Sequence, residues 1–468
     1  MSKKKLRIRL AYLSSFLCIS FSLSPTLAQI DQSSPVILHP VPDQVGFGHG
    51  VASGDVNGDG ISDIIAGSVL STAGGATNAG LAFVFFGGSP PNTMPDFALQ
   101  SPEPEAQARF GWDIAVGDVN GDGFGDIIVS ALLANGGTNG RGEAYVFFGG
   151  LAINAQADVT LQSPSDLGPS SHFGWSIGTG DINGDGIEDV IVGAETVRVM
   201  GNDQAGEAFV YFGRRPFTGA LGLTLRSPNV ERAGSFGNAV AVADFNKDGF
   251  EDVAIAAPGQ TVGGTDNAGH VFIFFGGPSF DASADLTLQD ANPRKTGRFG
   301  FAIAAGDVNG DGFQDLVVGA TNPPPPPRRS PTNEGEVHVF FGGTSMHSTF
   351  DTKLTQRSVD GFGSALAVAD VDRDGKGDII VGVPTPDLRG GDAGQVRVFL
   401  NRPSLDDTAD FILQTMPPER GDLLGDRVTA GDFNGDRRID VIAGAPNPPP
   451  VFGGGGGGPG KVVVFLGR

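Results

Sequence analysis

Asp118-Val119-Asn120-Gly121-Asp122-Gly123-Phe124-Gly125-Asp126 carries the reading of this chain. It puts side-chain oxygens at positions 1, 3, 5 and 9, offers a backbone carbonyl at 7, and has glycine at 6, where the chain must turn sharply. An apolar run, Ile127 to Val129, follows at once. Related stretches begin at Asp55, Asp181, Asp244, Asp307, Asp370 and Asp432, and successive starts lie 63 residues apart five times and 62 once. The chain is therefore seven copies of one unit.

The second copy shows the order of parts. Phe110-Gly111 opens an alternating stretch to Val116, then comes the Asp loop and the run Ile127 to Val129. Gly142 to Phe148 is rich in aromatic and β-branched residues, and Val159 to Gln162 is a short strand candidate before the next Phe173-Gly174. Four short antiparallel strands repeated seven times, with no helical period, predict an all-β, seven-bladed β-propeller. A solenoid is the structural competitor. The last repeat ends after its third strand, Lys461 to Leu466, while an unpaired candidate, Val36 to His39, precedes the first Phe47-Gly48. The N-terminal strand is expected to complete the last blade, which leaves no open edge.

Dense oxygen ligands mean a hard cation, and a flexible loop suits calcium better than magnesium. An EF-hand would need Glu at position 12, where this chain has Ala66, Val129, Val192, Ile255, Val318, Val381 and Ala443, so these are hairpin loops. Turn chemistry alone asks for Asp, Asn and Gly but not for four oxygens in fixed places seven times over, and the 22 loop aspartates would repel one another without a counter-charge.

The expected calcium ligands are Asp55, Asn57, Asp59, Ile61 and Asp63 in the first loop and Asp118, Asn120, Asp122, Phe124 and Asp126 in the second. Asp181, Asn183, Asp185, Ile187 and Asp189 follow, then Asp244, Asn246, Asp248, Phe250 and Asp252. The fifth loop offers Asp307, Asn309, Asp311, Phe313 and Asp315. The sixth offers Asp370, Asp372, Asp374, Lys376 and Asp378, with an added carboxylate that should bind at least as well. The seventh offers Asp432, Asn434, Asp436, Arg438 and Asp440, but Arg437 replaces the turn glycine, so this site is expected to be weakest. Up to seven structural Ca2+ ions follow.

Residues 1–28 read as a secretory signal: Lys3, Lys4, Lys5, Arg7 and Arg9, an apolar stretch from Leu10 to Leu23, and Thr26-Leu27-Ala28 before the cut. Residues 29–468 are then one propeller domain, placed in the periplasm, at the cell surface or outside the cell. The apolar stretch falls short of the roughly 20 residues of a membrane span. Cys18 is the only cysteine, so the mature chain has no disulfide and metal is the obvious source of added stability. Loss of the signal's five basic residues takes the net charge from −22 to −27, which excludes nucleic acid as a partner class.

Phe-Gly at Phe47, Phe110, Phe173, Phe236, Phe299 and Phe362, with Leu424-Gly425 as the seventh, is paired with Gly193-Ala194-Glu195, Ala257-Pro258, Gly319-Ala320-Thr321, Gly382-Val383-Pro384 and Gly444-Ala445-Pro446. On these motifs the chain resembles FG-GAP repeat proteins, typified by the propeller heads of integrin α subunits, and also the propeller part of glycosylphosphatidylinositol-specific phospholipase D. The resemblance implies calcium in the loops on one face and ligand contacts on the other.

Binding candidates on that other face are of two kinds. The long connections, Thr321 to Glu334 and Pro446 to Gly460, are the first. The second is the residue after each Phe-Gly: His49, Trp112, Trp175, Asn238, Phe301, Ser364 and Asp426. Trp112, Trp175 and Phe301 are the chosen ligand residues, with packing between blades as the plain alternative. Arg420-Gly421-Asp422 is an RGD tripeptide of a kind that recurs by chance. Six histidines show no motif, and no Ser-His-Asp, zinc or phosphate-loop signature occurs. A monomeric binding or adhesion module for a protein or glycan is the expected function, and a polysaccharide lyase or hydrolase is the alternative.

Overall fold

A computed structural model describes residues 30–468 apart from 41–44, 136–139, 165–167, 322–333, 358–360, 385–392, 403, 416, 418, 420 and 448–458. The expected signal, 1–28, lies outside the described residues.

Blade 1 is the meander β2 (Phe47–Gly54), β3 (Asp63–Ser68), β4 (Leu81–Phe85) and β5 (Phe97–Leu99). Blade 2 repeats it with β6 (Phe110–Gly117), β7 (Asp126–Ala131), β8 (Glu143–Phe147) and β9 (Val159–Gln162). Five further four-stranded sheets complete seven blades, all antiparallel and without a helix among the described residues. The second strands are buried along their whole length because neighbouring blades cover both faces, so Asp-Ile-Ile-Val-Ser-Ala reads as a run and not as an alternation.

Blade 7 is closed as the chain ends suggested. Strand β1 (Val36–Leu38) pairs with β28 (Lys461–Phe465), Val36 opposite Val464 and Leu38 opposite Val462. Asp31 N donates to Leu466 O at 2.8 Å, and Arg468 pairs with the Asp31 carboxylate.

The core lies between blades. Seven apolar clusters match seven interfaces, and each takes the Phe of one Phe-Gly pair, or Leu424 in its place. Phe110 joins Ile65 and Val84 of blade 1 to Ile127 and Phe147 of blade 2. It meets Phe147 edge-on at 6.1 Å and is wholly buried. Burial of such a ring contributes about 3 kcal/mol.

Candidate functional site

The turns between the first two strands of every blade are the Asp loops, and their hydrogen bonds superimpose. In the second, Asp122 N donates to Asp118 Oδ1 at 2.9 Å and Asn120 Oδ1 at 2.8 Å, Gly123 N to Asp118 Oδ2 at 2.8 Å, and Phe124 N to Asp122 Oδ1 at 3.0 Å. The seventh loop keeps the pattern, with Arg437 held at φ 65° and its N–H donating to Asp432 Oδ2 at 2.7 Å. A non-glycine residue also takes a left-handed conformation at position 4 in the fourth and sixth loops, Lys247 at φ 59° and Arg373 at φ 63°.

Position 9 does a second job. Asp126 is wholly buried; its Oδ2 accepts from Val119 N at 3.0 Å and its Oδ1 from Gly149 N at 2.9 Å, beyond the third strand. All seven position-9 aspartates clamp the loop in this way. Burial pushes these carboxyls up, to about 6 at Asp63 and about 7 at Asp126, against the pull of the amide bonds.

Neighbouring loops are also joined to each other. Gly125 N donates to Asp55 O at 3.2 Å, Glu188 N to Asp118 O at 3.1 Å and Glu251 N to Asp181 O at 3.2 Å. The position-7 side chain lies over the previous loop: a Cβ on Gly58 would stand 2.3 Å from the Phe124 ring. Position 7 thus donates its N–H within its own loop and lays its side chain over the loop before.

The donor set fits a hard divalent cation. In the sixth loop carboxylate oxygens of Asp370, Asp372 and Asp374 lie within 4.8 Å of one another, a convergence of like charge that a cation would relieve. Asp372 is the loop's extra carboxylate, and Arg402 is paired with it. Asp290, Glu336 and His338 form another close group, but Arg294 and Lys353 each stand 3.0 Å from Glu336. Burial would raise Glu336; His338, Arg294 and Lys353 outweigh it and hold the carboxyl at about 2, so this group is an internal ion-pair network across blades 4 and 5.

On the opposite face, the residue before each Phe-Gly is left-handed in every blade: Gly46, Arg109, His172, Ser235, Arg298, Gly361 and Leu423. The turn brings this side chain back over the residue three positions later. Arg109 lies over Trp112 at 5.8 Å, His172 stacks on Trp175 at 5.6 Å and 15°, and Arg298 lies over Phe301 at 4.7 Å. Trp112 contacts Trp175 at 5.1 Å and His49 at 4.2 Å, so blades 1 to 3 share one aromatic strip. Phe301 stands apart from that strip, on blade 5.

Next to the strip, blades 7, 1 and 2 enclose a pocket of ≈ 170 Å³ that includes His49, Arg109, Trp112, Leu423 and Asp426. His49 Nδ1 lies 3.2 Å from Trp112 O, and burial lowers its pKa to about 4. Asp113, beside Trp112, accepts from Ile177 N at 2.8 Å; burial raises it to about 6, opposed first by the charge of Arg427. Glu195 bridges blades, 3.5 Å from His172 Nδ1 and 3.3 Å from Asn238 Nδ2.

Sequence reading missed Arg109, His172, Arg298, Asp113 and Arg427. Stacking the repeats in register would have exposed the first three as the position three before each candidate. Of the long connections, 322–333 and 448–458 lie outside the described residues, as does Arg420. Asp422 of the RGD tripeptide is buried, with Lys461 Nζ 2.7 Å from its Oδ2, and is not presented to a receptor.

The two halves of the repeat motif meet between blades. Gly111, at φ 86°, packs on Gly67, and a Cβ on Gly111 would stand 2.8 Å from the Gly67 Cα. Gly237 meets Gly193, Gly363 meets Gly319, Gly425 meets Gly382, and Gly48 meets Gly444 where the ring closes. The glycine of Phe-Gly therefore rests on a glycine of the preceding blade at these five interfaces, while Gly174 faces Ser130 and Gly300 faces Ala256 at the other two. Residues 110–147, 173–211, 236–274, 299–340 and 362–399 match the FG-GAP repeat. The chain carries FG-GAP repeats. The FG-GAP chain is 31% identical to integrin alpha-5 of Xenopus laevis over 45% of its length and 20% of that protein. It is 32% identical to integrin alpha-V of Gallus gallus over 45% of its length and 20% of that protein. It is also 30% identical to phosphatidylinositol-glycan-specific phospholipase D of Bos taurus, over 38% and 22%. The aligned parts thus span about a fifth of each relative. Among solved structures, rhamnogalacturonan lyase YesW aligns with a TM-score of 0.40 and 13% identity, covering 89% of this chain and 74% of its own.

Proposed function

We propose that this FG-GAP chain is a calcium-stabilised binding module that acts outside the cytoplasm, gripping a protein or glycan on the face opposite the Asp loops. When bound, calcium would supply counter-charge to the loop carboxylates and hold the linked loops as a rigid base. Positions 1, 3, 5, 7 and 9 of each loop would hold it. Trp112, Trp175 and Phe301 would contact the ligand.

The observation that carries this reading is the aromatic strip His49–Trp112–Trp175 beside a pocket, on a rim where packing between blades is already supplied by the Phe-Gly rings. Rings needed only for packing would have been buried like Phe110; Trp112 and Trp175 are only partly buried. A protein and glycan binding screen, repeated with Trp112→Ala/Trp175→Ala, tests it: loss of binding in a folded variant is expected, and unchanged binding would overturn it.

One observation favours a second reading, a polysaccharide-cleaving enzyme. Asp113 is an acid walled into the mouth, with its carboxyl raised to about 6, near enough to neutral for proton transfer. Release of shortened chains from a polysaccharide, abolished by Asp113→Asn, would establish that reading in place of the first.

A further inference from the structure

The residue before each Phe-Gly turns its side chain back over the rim, and in blade 1 that cover is missing. Gly46 stands at the position of Arg109, His172 and Arg298; it is buried at φ 78°, and a Cβ on it would be 3.2 Å from Val69 Cγ2. Gly46 lines the pocket of ≈ 170 Å³ between blades 7, 1 and 2. A dry apolar cavity of about 150 Å³ holds a benzene ring, and sites for whole drug-sized molecules begin at roughly 300 Å³. This pocket therefore takes a single side chain or end group of something larger.

Its walls depart from the repeat. Val69, Leu70, Leu423 and Pro446 all line it. Leu423 is a large apolar side chain at a position where blades 2 to 5 have Arg109, His172, Ser235 and Arg298. Leu70 is partly exposed, whereas its counterpart in blade 2, Leu133, is buried, and blades 3 and 7 have Thr196 and Asn447 there. Blades that fold with polar residues at both positions show that the fold does not ask for leucine at either. Apolar groups gathered around a pocket on a polar rim mark a place for a partner to cover.

Charge and chemistry decide the occupant. Arg109 and Asp426 line the pocket with opposite signs, and burial lowers the His49 pKa to about 4, so at neutral pH an inserted group meets no net charge. Aliphatic walls would leave the hydroxyls of a sugar without partners. The Trp112 ring offers no free platform either, since His49 packs on it at 4.2 Å, Trp175 at 5.1 Å and Arg109 at 5.8 Å. An apolar side chain suits these walls, and Arg109 and Asp426 offer complementary ions to charged neighbours on either side of it. The chain as a whole carries −22, which favours a basic surface around that side chain.

We infer that this pocket seats one apolar side chain, of leucine or phenylalanine type, projecting from a basic surface of a protein partner. The side chain is buried against Val69, Leu70, Leu423 and Pro446, as the anchor residue of an interface is buried in its pocket. This rests on the reading of the rim as the binding face and narrows it from protein or glycan to protein.

The test is selection of a displayed random peptide library on the full, calcium-loaded chain, with the Kd of synthetic copies of the enriched peptides measured by calorimetry. Leu70→Asn installs the residue of blade 7 and Leu423→Ser that of blade 4, and melting temperature is recorded for each. Expected are lysine- or arginine-rich peptides that share one apolar residue. Their binding should weaken at least tenfold in Leu70→Asn at unchanged melting temperature, and equally when the shared apolar residue is replaced by serine. Acidic peptides, peptides without a shared apolar residue, or no enrichment would overturn the inference. Binding indifferent to Leu70→Asn and Leu423→Ser but lost in Trp112→Ala/Trp175→Ala would overturn it while leaving the binding face in place. A neutral glycan bound in that tryptophan-dependent way, or self-association of the chain abolished by Leu70→Asn, would put a sugar or a second copy in the partner's place and overturn it too. Binding untouched by the tryptophan and leucine variants alike would overturn both readings.

Discussion

The two ends of the propeller treat repetition in opposite ways. On the loop face seven turns keep the same hydrogen bonds even where the residues differ, so that Arg437 is bent to φ 65° to do what glycine does elsewhere. On the other face the seven residues after Phe-Gly occupy equivalent places and share almost no chemistry, from His49 and Trp112 to Ser364 and Asp426. Chemistry repeated in every blade serves what every blade shares, a tightly hydrogen-bonded turn joined to its neighbours. Chemistry that differs from blade to blade makes an asymmetric surface, and asymmetry is what recognition of a particular ligand requires.

The largest expected effect would break the comparison on the loop side. Each cation site at a hundredfold excess over its Kd contributes about 2.7 kcal/mol, so stripping calcium should lower the melting temperature by about 20 °C or more. A scan with and without chelator checks this, and an unchanged Tm would remove calcium from the account. Next comes a contrast of two residues in one strand. Phe110→Ala should cost about 3–5 kcal/mol by denaturant unfolding. Trp112→Ala should cost under about 1.5 kcal/mol while abolishing binding.

A smaller effect sharpens the mouth. Burial raises the Asp113 carboxyl, beside Trp112 on the same rim, to about 6, so ligand binding should be full at pH 7 and fall as pH drops through about 6, when Asp113 takes a proton. Affinity measured from pH 5 to 8 checks the sign, and Asp113→Asn should flatten the profile. The smallest concerns the sixth loop. Arg402 is paired with Asp372, the one carboxylate at position 3, so Arg402→Ala should tighten that site by ~1 kcal/mol, about fivefold in Kd. Calcium titration of the variant would show it; a weakened site would mean that Arg402 supports the loop.

The architecture was legible because it is repetitive. Seven Asp loops at a fixed spacing, each followed by an apolar run, specify blade number and strand order, and the leftover strand at Val36–Leu38 specified how the ring closes. Contacts that depend on two blades at once were not legible. Nothing in the order Gly-Asp-Gly-Phe says that Phe124 will cover Gly58 of the loop before, or that Glu195 will reach Asn238 of the next blade. The candidate site was legible in half: aromatic residues after Phe-Gly marked the rim. The left-handed turn that lays Arg109, His172 and Arg298 over them is a backbone conformation that side-chain pattern does not announce.

The most direct measurement is an anomalous difference map from crystals of the full chain grown with calcium. A peak is expected within each of the seven Asp loops, enclosed by positions 1, 3, 5, 7 and 9, with the seventh weakest when calcium is limiting. Ordered loops without peaks at saturating calcium would contradict it.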